Sequence, residues 1–289
     1  MTKTATYFSI IIPTLNEEKY LPLLLKDLAH QTFQDFEVIV VDGNSGDKTQ
    51  QKAESFSKKI AVTVLPVLKR NVSFQRNIGS AQAKSRWVLF MDADNRLPKY
   101  FLEGVKYQLI KHPSTDIFTN WLTVEKNSRV DKLIENAINL DIELYNIIGK
   151  TKGIGALLGV KKSILKKYRF DETQNFMEDG KLVKTICDAG YSFKIFRDPK
   201  FVYSLRRIKK EGNLKMLRAM IKYQFHYLKG GDFSKPFSAT DYPMLGGSYY
   251  KEADEKTKHW YSSMQNFITT ASKKQLEQAR YILNMLKDM

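Results

Sequence analysis

Two aspartates one residue apart, Asp92 and Asp94, follow the apolar run Val88-Leu89-Phe90-Met91. Carboxylates alternating at a strand end can grip a hard divalent cation, Mn2+ or Mg2+, which keeps some of its water and shares the remaining positions with phosphate oxygens. The triplet by itself is common in proteins, and its position is what makes it informative. Two like charges at the end of a buried strand repel each other and need a cation or a dense hydrogen-bond network. Metal binding therefore stands against a loop-capping role. A second polar cluster, Asp42-Gly43-Asn44-Ser45-Gly46-Asp47-Lys48-Thr49, follows Val40-Val41. Asp47 is placed to cap the next helix, and Gly43 and Gly46 allow a tight strand-to-helix turn. This leaves Asp42, whose carboxylate can accept the ring N–H of a uracil or the N–H groups of a guanine. A third cluster is Met177-Glu178-Asp179, two acids that would suit the positive end of a helix dipole.

The elements around these clusters have the pattern of a parallel sheet covered by helices. Tyr7 to Ile12, Phe36 to Val41, Ile60 to Leu65 and Trp87 to Met91 read as strands with the near-continuous hydrophobicity of strands buried on both faces. Glu17 to His30, Lys48 to Ser57 and Ser73 to Lys84 carry apolar residues at three- and four-residue spacing and read as helices. Ligands in such sheets bind beyond the carboxyl ends of the strands. That selects Pro13 to Glu18, Asp42 to Asp47, Pro66 to Arg70 and Asp92 to Asn95. Farther on, Leu102 to Lys111 and Lys132 to Ile148 read as helices and Ile117 to Val124 as a strand, and from Arg206 onward the pattern is mainly helical.

The chain has 289 residues, one cysteine (Cys187) and a formal net charge of +16. One cysteine excludes an intramolecular disulfide and a multi-cysteine zinc site. No apolar run approaches the ~18 residues of a membrane span, and the first residues lack a signal peptide's apolar stretch. The expected location is therefore cytoplasmic. The positive charge points to an anionic partner. Between Arg206 and Lys229 there are eight basic residues against one acid, Glu211, a net of +7. Leu214, Leu217, Ile221, Phe225 and Leu228 recur there at helical spacing. Such a helix either packs on the core or lies peripherally on an anionic membrane face.

The motifs Ile11-Ile12-Pro13-Thr14-Leu15-Asn16-Glu17-Glu18, Asp42 to Thr49, Arg76-Asn77-Ile78-Gly79, Asp92-Ala93-Asp94 and Met177-Glu178-Asp179 occur in the order and approximate spacing of one family. In them the chain resembles the family 2 glycosyltransferases of GT-A fold, from about Phe8 to about Arg207. The resemblance implies an α/β fold with a mostly parallel central sheet. Its nucleotide-binding half would span about 8–94 and its acceptor half about 95–207, and a helical basic extension would occupy 208–289. It also implies inverting transfer of a sugar from a nucleotide-sugar donor, UDP-linked by preference and GDP-linked as the alternative, to a saccharide or lipid-linked acceptor. Pro13, Thr14 and Glu18 resemble the turn lining the nucleoside, and Asp42 the residue reading the base. Arg70 or Arg76 approaches the base or diphosphate. Asp92 resembles the residue near ribose and metal, Asp94 the direct metal ligand, and Asp179 the catalytic base, with Glu178 beside it. Members that continue into membrane spans differ from this chain beyond Arg207.

Two other functions remain to compare. A sugar-phosphate nucleotidyltransferase would carry a glycine-rich, basic loop after the first strand, whereas Pro13 to Glu18 has no glycine and two acids. A nucleic-acid-binding protein would agree with the charge, but neither paired Cys/His spacing nor an aromatic-basic RNA-binding strand is present. No nucleic-acid partner is expected.

Overall fold

The structure is a computed structural model that describes residues 6–125, 129–147, 155–174 and 177–206. Seven strands form one sheet: β1 Phe8–Thr14, β2 Phe36–Asp42, β3 Val62–Pro66, β4 Trp87–Met91, β5 Ile117–Val124, β6 Leu157–Lys161 and β7 Phe193–Tyr203. Their spatial order is β3-β2-β1-β4-β6-β5-β7. The first four pair in parallel, β6 runs antiparallel between β4 and β5, and β5 pairs in parallel with β7. The expected mostly parallel sheet is present, with one reversed strand at its centre.

Alternate strand residues face opposite sides of a sheet, and both sides here are apolar. Ile10, Ile12, Val38, Val40, Leu89 and Met91 pack on one face under helix α1 (Leu21–Ala29) and helix α4 (Phe101–Lys111). Ile11, Ile39, Val41, Val88 and Phe90 pack on the other with Leu182, Val183 and Ile186 of helix α7 (Glu178–Asp188). Helix α3 (Val72–Gln82) lies close to that second face. A Cβ added at Gly79 would come within 2.3 Å of Ile11 Cγ2, so only glycine permits this approach.

Two shorter helices, α2 (Thr49–Glu54) and α6 (Lys162–Leu165), complete the layers with α5 (Arg129–Ile147). Since β6 pairs with β5 only at Ile117 and Phe118, the later backbone of β5 needs other partners. Polar side chains of α5 supply them. Asn139 both accepts from Leu122 N–H and donates to its carbonyl, while Glu135 accepts from Val124 N–H and the Thr123 hydroxyl.

Some boundaries differ from those read in the sequence. The first helix begins at Leu21, not Glu17, because residues 17–20 form a turn in which Tyr20 and Leu21 N–H groups both donate to Glu17 O. The second ends at Glu54, and β3 starts at Val62. The expected extension 208–289 lies outside the described residues, as does the amphipathic stripe from Leu214 to Leu228.

Candidate active site

Register brings the sequence motifs to one edge. Thr14 pairs with Asp42, and Ile11 with Phe90, so the ends of β1, β2 and β4 present Pro13, Thr14, Asp42 and Asp92 along the same side of the sheet. Asp42 is fully buried. Its Oδ1 accepts from the Thr14 and Ser45 hydroxyls at 3.0 and 2.6 Å, and its Oδ2 from Ser45 N–H and Gln50 Nε2 at 2.9 and 2.7 Å. A carboxylate has about four acceptor sites, so Asp42 organises this loop, and a base N–H would have to displace one of these donors. Glu18 accepts from Lys48 N–H at 3.2 Å; the N-cap of α2 is Lys48 rather than the expected Asp47, which stands one residue earlier and accepts from the Thr49 N–H at 2.9 Å. Gln75, which was not singled out in the sequence, is buried and donates to the carbonyls of Thr14 and Val41, tying α3 to both strand ends.

Burial separates the two arginines. Arg70 is exposed and donates to Asn44 O at 3.1 Å, at the rim of the Asp42 loop. Arg76 is 3% exposed and joins three segments: Nη1 donates to Glu178 at 2.7 Å, and Nη2 to Asp92 at 3.1 Å and to Gly155 O at 3.0 Å. Burial opposes its charge, yet Glu178, Asp92 and Asp179 outweigh this and hold its pKa above the usual arginine value. Gly155 is the other half of the junction, since a Cβ there would lie 3.0 Å from Asp179 Oδ2 and 3.5 Å from Arg76 Nη2. The DxD strand end and the Glu178-Asp179 pair therefore meet around one guanidinium.

The acidic pair opens helix α7, where carboxylates face the positive end of the dipole. Met177 precedes it with φ 58°, a left-handed turn into the helix. The loop before the helix is clipped to α3. Asn77 donates to Phe170 O at 2.9 Å and accepts from Phe170 N–H at 3.0 Å, and Lys69 pairs with Glu172 at 2.6 Å. Asn95, buried, donates to Ala156 O and fixes the turn after Asp92 and Asp94 against the start of β6.

Asp94 is mostly buried and pairs with Arg206 Nε at 2.7 Å. Arg206 also donates through Nη2 to Glu17 Oε1 and lies over the Tyr20 ring, 4.4 Å from its centroid. Burial pushes the Glu17 carboxyl up to about 7; Arg206 pulls it down, while Asp94 and Asp92 add to the rise. Neither Glu17 nor Arg206 was assigned a site role from the sequence, and at 189 positions apart no local pattern could connect them.

Among the described residues no group of three or more His, Cys, Asp or Glu is gathered to hold a metal. Asp92 and Asp94 form a set of two. That suits a Mg2+-like ion, bound through one or two carboxylates with water and substrate phosphate completing its shell. Asp92 has 38% of its side chain exposed, and Asp94 already holds a cationic group, so the donor set fits.

The chain aligns with the minor teichoic acid biosynthesis protein GgaB of Bacillus subtilis at 27% identity over 223 residues, 73% of this chain and 24% of that protein. It aligns with the poly(ribitol-phosphate) beta-N-acetylglucosaminyltransferase TarS of Staphylococcus aureus at 38% identity over 111 residues, 37% of this chain and 19% of that protein. The matches thus span a quarter or less of these relatives. Among solved structures, TarS 1–349 in complex with UDP superposes with a TM-score of 0.52 at 24% identity, over 74% of this chain and 64% of that one. The mannosyltransferase PcManGT of Pyrobaculum calidifontis, in complex with GDP-Man and Mn2+, superposes with a TM-score of 0.60 at 18% identity, over 98% of this chain and 81% of that one. Both share the GT-A fold seen here. The profile of the glycosyl transferase family 2 matches residues 9–198, and with the strand-end carboxylates gathered at one edge of that fold, the chain is a glycosyltransferase belonging to this family.

Proposed function

We propose that the protein transfers a sugar with inversion from a nucleoside-diphosphate sugar to a hydroxyl of a saccharide or lipid-linked acceptor. The observation that carries this reading is the convergence of Asp92, Glu178 and Asp179 on Arg76. Asp179 accepts the proton of the acceptor hydroxyl as that oxygen bonds to the anomeric carbon, and the bond from this carbon to the nucleoside diphosphate breaks on the opposite face. One displacement inverts the anomeric configuration. Glu178, held by Arg76, serves as the brace that positions this pair.

Asp94 and Asp92 would hold a divalent ion, Mn2+ or Mg2+. When bound, this ion offsets the charge that grows on the departing diphosphate. Pro13, Thr14 and Glu18 line the nucleoside side, with Asp42 fixing the shape of that loop and Arg70 at its rim. UDP-linked sugars are the preferred donors because TarS structures contain UDP and UDP-GlcNAc; GDP-linked sugars are the alternative, by likeness to PcManGT. The likeness to TarS, a poly(ribitol-phosphate) beta-N-acetylglucosaminyltransferase, and to GgaB, a minor teichoic acid biosynthesis protein, supports a polyol-phosphate polymer hydroxyl as one acceptor class. The basic stretch from Arg206 to Lys229 docks the enzyme peripherally on an anionic membrane face through the basic residues after Arg206, which is itself engaged by Asp94 and Glu17.

Thermal shift and hydrolysis with a panel of nucleotide sugars, each with and without Mn2+, test this reading. Binding raises stability by about 2.7 kcal/mol at a hundredfold excess over Kd. One nucleotide sugar should stabilise the protein in the presence of Mn2+ and lose most of that effect in EDTA. If none stabilises it or is hydrolysed, the donor assignment is wrong; full turnover in EDTA removes the metal.

A further inference from the structure

Arg206 lies three residues beyond the end of β7 at Tyr203, and its guanidinium bridges two acids from different parts of the chain. Nε sits 2.7 Å from Asp94 Oδ2, and Nη2 donates to Glu17 Oε1. Glu17 is 9% exposed, and its other oxygen, Oε2, is buried without a hydrogen-bond partner. A buried carboxylate in that condition depends on its counter-ion. The Tyr20 ring backs the guanidinium on one side.

A divalent ion held by Asp94 would bind a carboxylate oxygen directly. It would then share one carboxylate with a guanidinium already in hydrogen-bond contact. Like charges that close disfavour one another, and the two cations compete for Asp94. The fork of Arg206 allows a partial release, because giving up Asp94 through Nε leaves the Nη2 contact to Glu17 in place.

We propose that Arg206 is a built-in counter-cation that competes with the divalent metal for Asp94, with Glu17 as the post that keeps it nearby during the exchange. This inference rests on the metal reading of Asp94 given above. Metal loading then requires the Arg206 side chain to give up its Nε contact with Asp94, which ties the donor site to this residue beyond β7.

The test measures Mn2+ affinity directly, by the electron paramagnetic resonance signal of free Mn2+, for the full chain alone and with UDP. Arg206→Gln should bind Mn2+ about tenfold more tightly than wild type without UDP, the equivalent of ~1.4 kcal/mol of competition removed. Arg206→Lys keeps the charge but not the fork, and its affinity should fall between the two. Equal or weaker Mn2+ binding by the folded Gln variant overturns the proposal. Should the Gln variant not fold, the Lys variant decides alone: tighter binding than wild type supports competition, and equal or weaker binding overturns it. If wild type with UDP binds no Mn2+ at all, the metal reading itself fails and the proposal falls with it.

Discussion

Adjacent residues Glu178 and Asp179 have different surroundings. Glu178 receives a 2.7 Å hydrogen bond from a buried guanidinium, whereas Asp179 lies beside Gly155, where an added Cβ would come within 3.0 Å of its Oδ2. Asp179→Asn should therefore lower kcat by about 10²–10⁴-fold, the usual worth of a general base, with donor affinity kept because the lost group acts on the acceptor. Steady-state kinetics with titration calorimetry of the nucleotide separates the two effects, and a loss under tenfold would move the base elsewhere. The acids at this scale were legible because each closes an apolar strand or opens a helix. The arginines were not distinguishable until burial placed Arg76 between Asp92 and Glu178 and left Arg70 at the rim. Asp42 was legible as a strand-end acid, but not as a carboxylate with four donors, because those donors come from Thr14, Ser45 and Gln50 in the folded chain.

At the scale of elements, the approach of α3 to the sheet can be tested at Gly79. Alanine there gains ~1 kcal/mol of helix propensity. Its Cβ, however, would meet Ile11 Cγ2 at 2.3 Å and Val41 Cγ2 at 3.1 Å, and overpacking of this kind typically costs ~1–3 kcal/mol. The clash wins: Gly79→Ala should lower the urea midpoint with an unchanged m-value. The loop before α7 gives a pH prediction. Hydrogen bonds from Lys181 and Thr173 hold the Asp171 carboxyl down to about 2, against a smaller desolvation effect. A depressed folded-state pKa stabilises above the unfolded value, and that contribution disappears as pH falls from about 4 toward 2. Asp171→Asn should therefore be less stable than wild type at pH 7, with the two converging near the acid end of a thermal-melt series. The parallel strands β1, β2 and β4 were visible as uniform apolar runs. The last strand, β7, was not, because its sequence FKIFRDPKFVY mixes charges and a proline into a partly exposed strand.

For the whole molecule, the parallel pairing of the first four strands and the choice of one candidate edge followed from general rules for α/β proteins, whereas the strand order, the reversed β6 and the Glu17–Arg206 contact depend on how the second half folds back on the first. The net charge of +16 is a property of the chain as a whole, but eight basic residues fall between Arg206 and Lys229. Among the described residues no helix is long and apolar enough to cross a membrane. Each basic residue near an anionic surface contributes on the order of 1 kcal/mol, so several acting together can hold a protein there reversibly. Screening length shortens from about 10 Å at 0.1 M salt to about 3 Å at 1 M, so that hold should fail in high salt. In co-sedimentation, the full chain should pellet with vesicles containing phosphatidylglycerol and remain in solution with neutral ones. Replacing Lys209, Lys210, Lys215 and Arg218 by glutamine should release it, with turnover on a soluble acceptor kept because none of the four is assigned to donor, metal or base. If wild type ignores anionic vesicles at low salt, the membrane assignment fails while the chemistry at Asp94 and Asp179 stands untouched.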